Sequence, residues 1–175
     1  EDRTVKIEDG SGGIVTQVKK VPIWLEPVAD GHTPMVLALG HVHRILSGWI
    51  PSHLSSFPPI VIHVTDGNAT DGDPLPTAQA IQQLATDDGN VLLFNCHLSD
   101  KSAQATEFPA NEEHLPDDFA RLLFRMSSIL PSSMHEQASA EGYSVEPQAR
   151  GFVFNADLVR VIGFLNIGTR ASNLR

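Results

Sequence analysis

The sequence predicts an α/β domain built on a mostly parallel sheet, and three features predict it. Ile60 to Val64 (IVIHV) and residues 91–96 (VLLFNC) are continuously apolar runs rich in branched side chains, the mark of strands covered on both faces. Other segments place apolar residues at helical spacing. Strand and helix patterns alternate along the chain, which implies crossover connections between parallel strands.

Taken in order, residues 1–20 mix charge, glycine and short β-branched runs. They read as an exposed extended segment with a hairpin around Gly10 to Gly13. Residues 21–26 (VPIWLE) read as a short strand whose start Pro22 places at an edge. In DGHTP, Thr33 suits a helix N-cap and Pro34 the first helical position. Met35, Leu39, Val42, Leu46 and Trp49 then share one face until Pro51 ends the helix. After the 60–64 strand, Pro74 and Pro76 open a helix through about Thr86, with Ala78, Ile81 and Leu84 inward, and DDGN ends it. Beyond the 91–96 strand, residues 98–116 read as a long polar loop. A helix runs from Asp117 to about Ile129, with Phe119, Leu122, Leu123, Met126 and Ile129 inward. Residues 131–150 carry no decisive pattern; a short helix and a turn fit them. Gly151 to Phe154 reads as a last strand. Asn155 then caps a helix with Leu158, Val161, Ile162 and Leu165 inward, ending at Gly168. Residues 1–175 thus read as one domain, an exposed segment (1–20) followed by a core (21–170), without internal repeats.

Composition narrows the function. Asp and Glu number 21 against 12 Lys and Arg, a formal charge of −9. Phosphate backbones require a basic footprint, so nucleic acid is not expected as a partner. The balance suits cations or a basic surface, besides serving solubility. A single cysteine, Cys96, excludes an internal disulfide framework. With no membrane-length apolar run and no signal-peptide pattern, the expected setting is the cytoplasm, away from membranes.

The chemistry concentrates at IVIHVTDGNATDGDP, residues 60–74, where an apolar strand runs into three aspartates, an asparagine and two threonines. Ligands of open parallel sheets sit at the carboxyl ends of the strands. Asp66 leaves its strand there, and Gly67 permits a turn that aims the carboxylate back over the sheet edge. Thr33, at the start of a helix on the same sheet, can face the same crevice. A hydroxyl and a carboxylate are the hard oxygen ligands that Mg²⁺ prefers. The plain alternatives are an N-cap for Thr33 and a turn-forming Asp-Gly for Asp66. Asp71 and Asp73 read as turn and cap residues. The loop is not an EF-hand, because Asp71 stands where glycine is needed and no glutamate follows at the twelfth position. The eight histidines do not form a zinc pattern; His41 and His43 point in different directions on a helix, and HEQAS lacks a second histidine. They read as solvated or core side chains. Cys96 has no evident partner base, and no nucleophile elbow, P-loop or dinucleotide fingerprint occurs.

DGHTP followed by a helix, and IVIHVTDG closing a buried strand, resemble two segments of the von Willebrand factor type A (VWA) domain. TDGNATDGDP, GNVLLFNCHLS, LPDDFARLLFRMSS and ARGFVFNADLVRVIGFLNIGTRA resemble its bacterial, intracellular branch, associated with tellurite-resistance-like gene clusters. The likeness spans roughly residues 21–170. It implies a Rossmann-like, doubly wound sheet with helices on both faces. It also implies a metal-ion-dependent adhesion site (MIDAS), in which Mg²⁺ (or Mn²⁺) bridges to an acidic side chain of a partner protein, and no enzyme activity. Matched residue by residue, its threonine falls on Thr33 and its aspartate on Asp66. The family's D-x-S-x-S loop has no counterpart here: DGSGG at residues 9–13 offers Asp9 and Ser11, but Gly13 replaces the second serine and Thr33 follows too soon. The expectation is that the chain begins inside the domain, so that this segment holds divalent metal poorly and a complete protein holds it well. A metal-dependent hydrolase and a metal-free scaffold are the alternatives.

Overall fold

Beyond an amino-terminal hairpin, helices connect the three parallel strands of a mixed sheet. The computed structural model describes residues 2–8, 13–20, 31–99 and 103–169; the strand expected over 21–26 lies outside them. The contacts divide the chain into Glu1–His32 and Thr33–Arg175, a boundary later than the 20/21 step expected between exposed segment and core. In the first unit, strands β1 (Asp2–Glu8) and β2 (Ile14–Lys20) pair antiparallel, with Glu8 opposite Ile14. This is the hairpin expected around Gly10 to Gly13.

In the second unit, helix α1 (Met35–Trp49) passes through a single 3₁₀ turn (Ile50–Ser52) that contains Pro51. Strand β3 (Ile60–Thr65) follows, then α2 (Leu75–Gln83). The helix predicted through Thr86 stops earlier, because Ala85–Thr86 (β4) and Gly89–Asn90 (β5) pair as a small antiparallel ribbon around Asp87-Asp88. Strand β6 (Leu92–His97) comes next. The 98–116 loop contains a short strand, β7 (Thr106–Glu107). Helices α3 (Asp118–Met126) and α4 (Ser132–Ala140), strand β8 (Phe152–Phe154) and helix α5 (Leu158–Thr169) complete the chain.

The fold is mixed α/β, with a mostly parallel four-stranded sheet in the order β3-β6-β8-β7. β3, β6 and β8 are parallel, and β7 joins the far edge antiparallel. Alternation along β6 divides the core. Leu93 belongs to a cluster with Met35 and Leu39 of α1, Ala78 and Ile81 of α2, and Leu123 and Phe124 of α3. Phe94 and Cys96 belong to another, with Met134 and Ala138 of α4 and Phe164 and Ile167 of α5. No helix among the described residues is long and apolar enough to cross a membrane.

Several residues expected to face inward are exposed. α3 runs back along β6: Ser128 donates its N–H to Leu93 O (2.8 Å), and Asn95 Nδ2 donates to Leu123 O (3.2 Å). The start of α3 therefore lies near the carboxyl end of β6, where Ala120 is buried but Phe119 is exposed rather than inward. Leu158 and Ile162, in the early turns of α5 after the carboxyl end of β8, are exposed too; Phe164, Ile167 and Gly168 further along carry the contact. Ile129 lies past the end of α3 and is also exposed.

Candidate functional site at the carboxyl edge of the sheet

Consecutive strand ends are stitched together at the carboxyl edge. Leu98 N–H donates to Thr65 O (2.9 Å) and Asn155 N–H to His97 O (3.0 Å). Asn155 adopts φ +46°, and its side-chain oxygen accepts Ser99 N–H at 2.7 Å. It thus braces the loop after β6 instead of capping α5. That cap is Asp157, whose carboxylate accepts Arg160 N–H at 2.9 Å.

The T-D-G turn is held by its main chain. Thr65 Oγ1 accepts Gly67 N–H at 3.1 Å. His97, buried at the end of β6, reaches across to the Asp66 carbonyl with Nε2 at 2.8 Å. A carbonyl only accepts, so Nε2 carries the proton. The ring also packs edge-on against Phe154, with centroids 5.1 Å apart. Gly67 has φ +92°, and a Cβ there would stand 2.5 Å from His97 Nε2, so the ring occupies the space a side chain would need. Asp66 itself is exposed, and among the described residues its carboxylate accepts one long contact, from Asn68 N–H at 3.4 Å.

Thr33 is tied to the same loop. Its N–H donates to Thr70 Oγ1 (3.1 Å), and its carbonyl accepts Thr70 N–H (3.0 Å). Thr70 lies five residues past the end of β3, so the Thr33 and Asp66 loops meet at one end of the sheet. The expected capping role is corrected: α1 begins at Met35 with Pro34 at the N-cap and no side-chain cap bond. Its first N–H groups are served from the neighbouring loop instead, where Asp71 accepts Val36 N–H (3.0 Å) and Leu37 N–H (2.9 Å) through its two oxygens. Desolvation raises the Asp71 pKa, but these backbone bonds outweigh it and the net shift is downward. Asp73 accepts Leu75 N–H at 3.0 Å as α2 opens, the end-of-helix role expected of it.

A cavity of about 410 Å³ opens beside Asp66, lined also by Asn68, His97, Leu98, Ser99, Asp117 and Phe119. Asp117 is the N-cap of α3 and accepts Ala120 N–H at 2.8 Å. Of these residues, the sequence makes Asp66 alone a candidate ligand. Asp117 was legible as a helix start but not as a cavity wall, and His97 as a core histidine but not as a brace for Asp66.

As a metal centre, the donor set fits a hard divalent ion in kind. No group of three or more His, Cys, Asp or Glu side chains able to hold a metal occurs among the described residues, so protein side chains alone supply few of the ligands an octahedral ion requires. Below the edge, Asn95 is fully buried: it accepts from His63 Nδ1–H (2.8 Å) and donates to Ser127 Oγ (2.9 Å). Desolvation lowers the His63 pKa, partly countered by that bond. Compared with protein families, curated proteins and solved structures, the chain matches none.

Proposed function

We propose that this chain is a VWA-type binding module with a doubly wound, Rossmann-like sheet, in which Thr33 and Asp66 hold a Mg²⁺ or Mn²⁺ that bridges to an acidic residue of a partner protein. The observation that carries the reading is the clasp between Thr33 and Thr70, because it keeps a hydroxyl-bearing loop beside the loop that Asp66 opens. Thr33 supplies its hydroxyl and Asp66 its carboxylate, directly or through water. Water and the partner's carboxylate fill the remaining positions. With so few protein oxygens the ion keeps much of its charge, which favours an incoming carboxylate. No bond is made or broken, and the module is a binder rather than an enzyme. Its setting is the cytoplasm, where a lone buried thiol such as Cys96 remains reduced.

The experiment is a Mn²⁺ titration followed by electron paramagnetic resonance. Saturable, weak binding is expected for the wild type, and loss of it in Asp66→Ala and in Thr33→Val. Since Thr33 makes no side-chain cap bond, Thr33→Val should leave thermal stability within about 0.5 kcal/mol of the wild type. Equal Mn²⁺ binding by Asp66→Ala would overturn the assignment.

A further inference from the structure

His63 is a side chain of the parallel sheet whose charge can change, and its surroundings fix where its proton sits. The residue is half-buried on β3, with Nδ1 2.8 Å from Asn95 Oδ1. Asn95 is fully buried on β6, and its Nδ2 donates both protons, to Leu123 O (3.2 Å) and to Ser127 Oγ (2.9 Å). Ser127 Oγ gives its own proton to Leu123 O at 2.8 Å. A backbone carbonyl only accepts, so these bonds have one consistent order: Asn95 turns its nitrogen to α3 and its oxygen to His63. His63 Nδ1 therefore carries a hydrogen, and in the neutral ring Nε2 is the bare acceptor. This is the opposite tautomer to His97, whose Nε2 donates to the Asp66 carbonyl. A second proton enters His63 at Nε2 and makes a cation, for which Asn95, Ser127 and Leu123 supply no counter-charge.

The packed elements do not supply one either. His63 shares its face of β3 with Val61, which packs on the cluster of α1, α2 and α3. On α1, His41 and Arg44 are exposed and His43 is half-buried. α2 carries no titratable residue. On α3, Arg121 pairs with Asp118 and Arg125 with Glu112. β6 brings His97, two residues beyond Asn95 and bonded to the Asp66 carbonyl. α5 packs on the opposite face, where Ile62 approaches Gly168, and its Arg160 lies beside Glu107. Burial accordingly lowers the His63 pKa more than the Asn95 bond raises it.

β3 is the element a charged His63 would loosen. It is the edge strand of the described sheet, paired with β6, and Val64 is 50% exposed. Such a strand opens locally at lower cost than the fold unfolds, and its carboxyl end leads directly into the turn that sets the Asp66 carbonyl. We propose that His63 is an acid-sensitive latch: neutral and protonated at Nδ1, it ties β3 to α3 through Asn95, and on taking a second proton at Nε2 it leaves, freeing the end of β3 and the turn that follows. The opened strand binds that proton with ordinary affinity and the closed one more weakly, so the latch holds fully above the ordinary value of 6.5 and weakens as pH falls below it. One proton allows the open population to grow by at most about tenfold per pH unit. The latch does not depend on a bound metal.

The test is nuclear magnetic resonance on the full chain, isotope-labelled at the imidazole nitrogens, with EDTA present. His63 should carry its hydrogen on Nδ1 in mild alkali and should titrate below 6.5. Amide exchange then follows Gly67 and Leu98, whose N–H groups are bonded to Thr65. The comparison is with His63→Gln, which keeps a donor for Asn95 but cannot titrate. As pH falls from about 7 to about 5.5, wild-type opening should rise several-fold relative to His63→Gln at the same pH. That gain should not vary with urea below the unfolding transition, the mark of local opening. Hydrogen on Nε2 rather than Nδ1, titration at or above the ordinary value, an equal response in His63→Gln, or a gain that tracks urea overturns the proposal. Should His63→Gln fail to fold, the wild-type tautomer and titration decide it.

Discussion

Gly67→Ala tests the geometry on which the site depends. Two costs add at this position. The backbone sits at φ +92°, where a side chain is disfavoured by roughly 1–2 kcal/mol. The new methyl carbon would also stand 2.5 Å from His97 Nε2 and 2.9 Å from Cε1. The ring has little room to retreat, being 1% exposed, edge-on to Phe154 and bonded to the Asp66 carbonyl. Overpacking of this sort costs about 1–3 kcal/mol, so the sum is about 2–5 kcal/mol. With a urea slope of about 2 kcal/mol/M, the unfolding midpoint should fall by roughly 1–2.5 M.

A double-mutant cycle separates the two costs. In a His97→Ala background the ring is gone and only the backbone term remains, so Gly67→Ala should cost less there, by a coupling of about 0.5–3 kcal/mol. Urea unfolding followed by far-ultraviolet circular dichroism reads all four proteins. If Gly67→Ala shifts the midpoint by less than about 0.3 M in the wild-type background, the turn is not held as described, and the placement of Asp66 loses its basis.

Three further outcomes are expected. Asn95→Ala removes the acceptor of His63 Nδ1–H and a donor to Leu123 and Ser127 in a fully buried setting, so denaturant unfolding should show a loss of about 2–4 kcal/mol. Asp71→Ala should loosen the start of α1, seen as faster amide exchange at Val36 and Leu37. Because the Asp71 pKa is lowered in the fold, its contribution is full above the ordinary value of 3.8 and is lost as pH falls from there through the lowered folded value; the stability gap between wild type and variant, measured against pH, should close over that range. Burial pushes the Cys96 thiol pKa upward, so a thiol reagent at neutral pH should label the folded chain far more slowly than the chain in urea.

The layered architecture was legible because the 91–96 run is a buried interior strand whose composition answers to burial; the equally apolar 60–64 run is the edge strand of the described sheet and only partly buried. Helix existence was legible from periodicity, but the inward faces near helix starts were not. Period alone cannot tell where along a helix its apolar face meets the sheet, so it places Phe119 and Leu158 inward although both are exposed. The cap of α1 was misassigned because the sequence offers a threonine before a proline, whereas the fold supplies Asp71 from 35 residues away. The T-D-G turn pointed to Asp66. Its brace, His97, lies 31 residues downstream on the neighbouring strand, and only the parallel pairing of β3 with β6, with Thr65 beside His97, brings the two together.

That pairing also separates Asp66 from the other aspartates around it. Asp71, Asp73 and Asp117 each accept backbone N–H groups at the beginning of a helix, at 2.8–3.0 Å. Those bonds satisfy donors that a helix end leaves unpaired, and they use the oxygens a ligand would need. Asp66 is fixed differently: its carbonyl accepts from His97 Nε2–H and its glycine neighbour donates its N–H to the Thr65 hydroxyl, so the main chain is set without calling on the carboxylate. Among the described residues, a long contact from Asn68 N–H is the carboxylate's one hydrogen bond. An acidic group placed rigidly by its backbone, yet left available at its side chain, suits the capture of a cation from water, since the cost of ordering the ligand is met by folding rather than at binding.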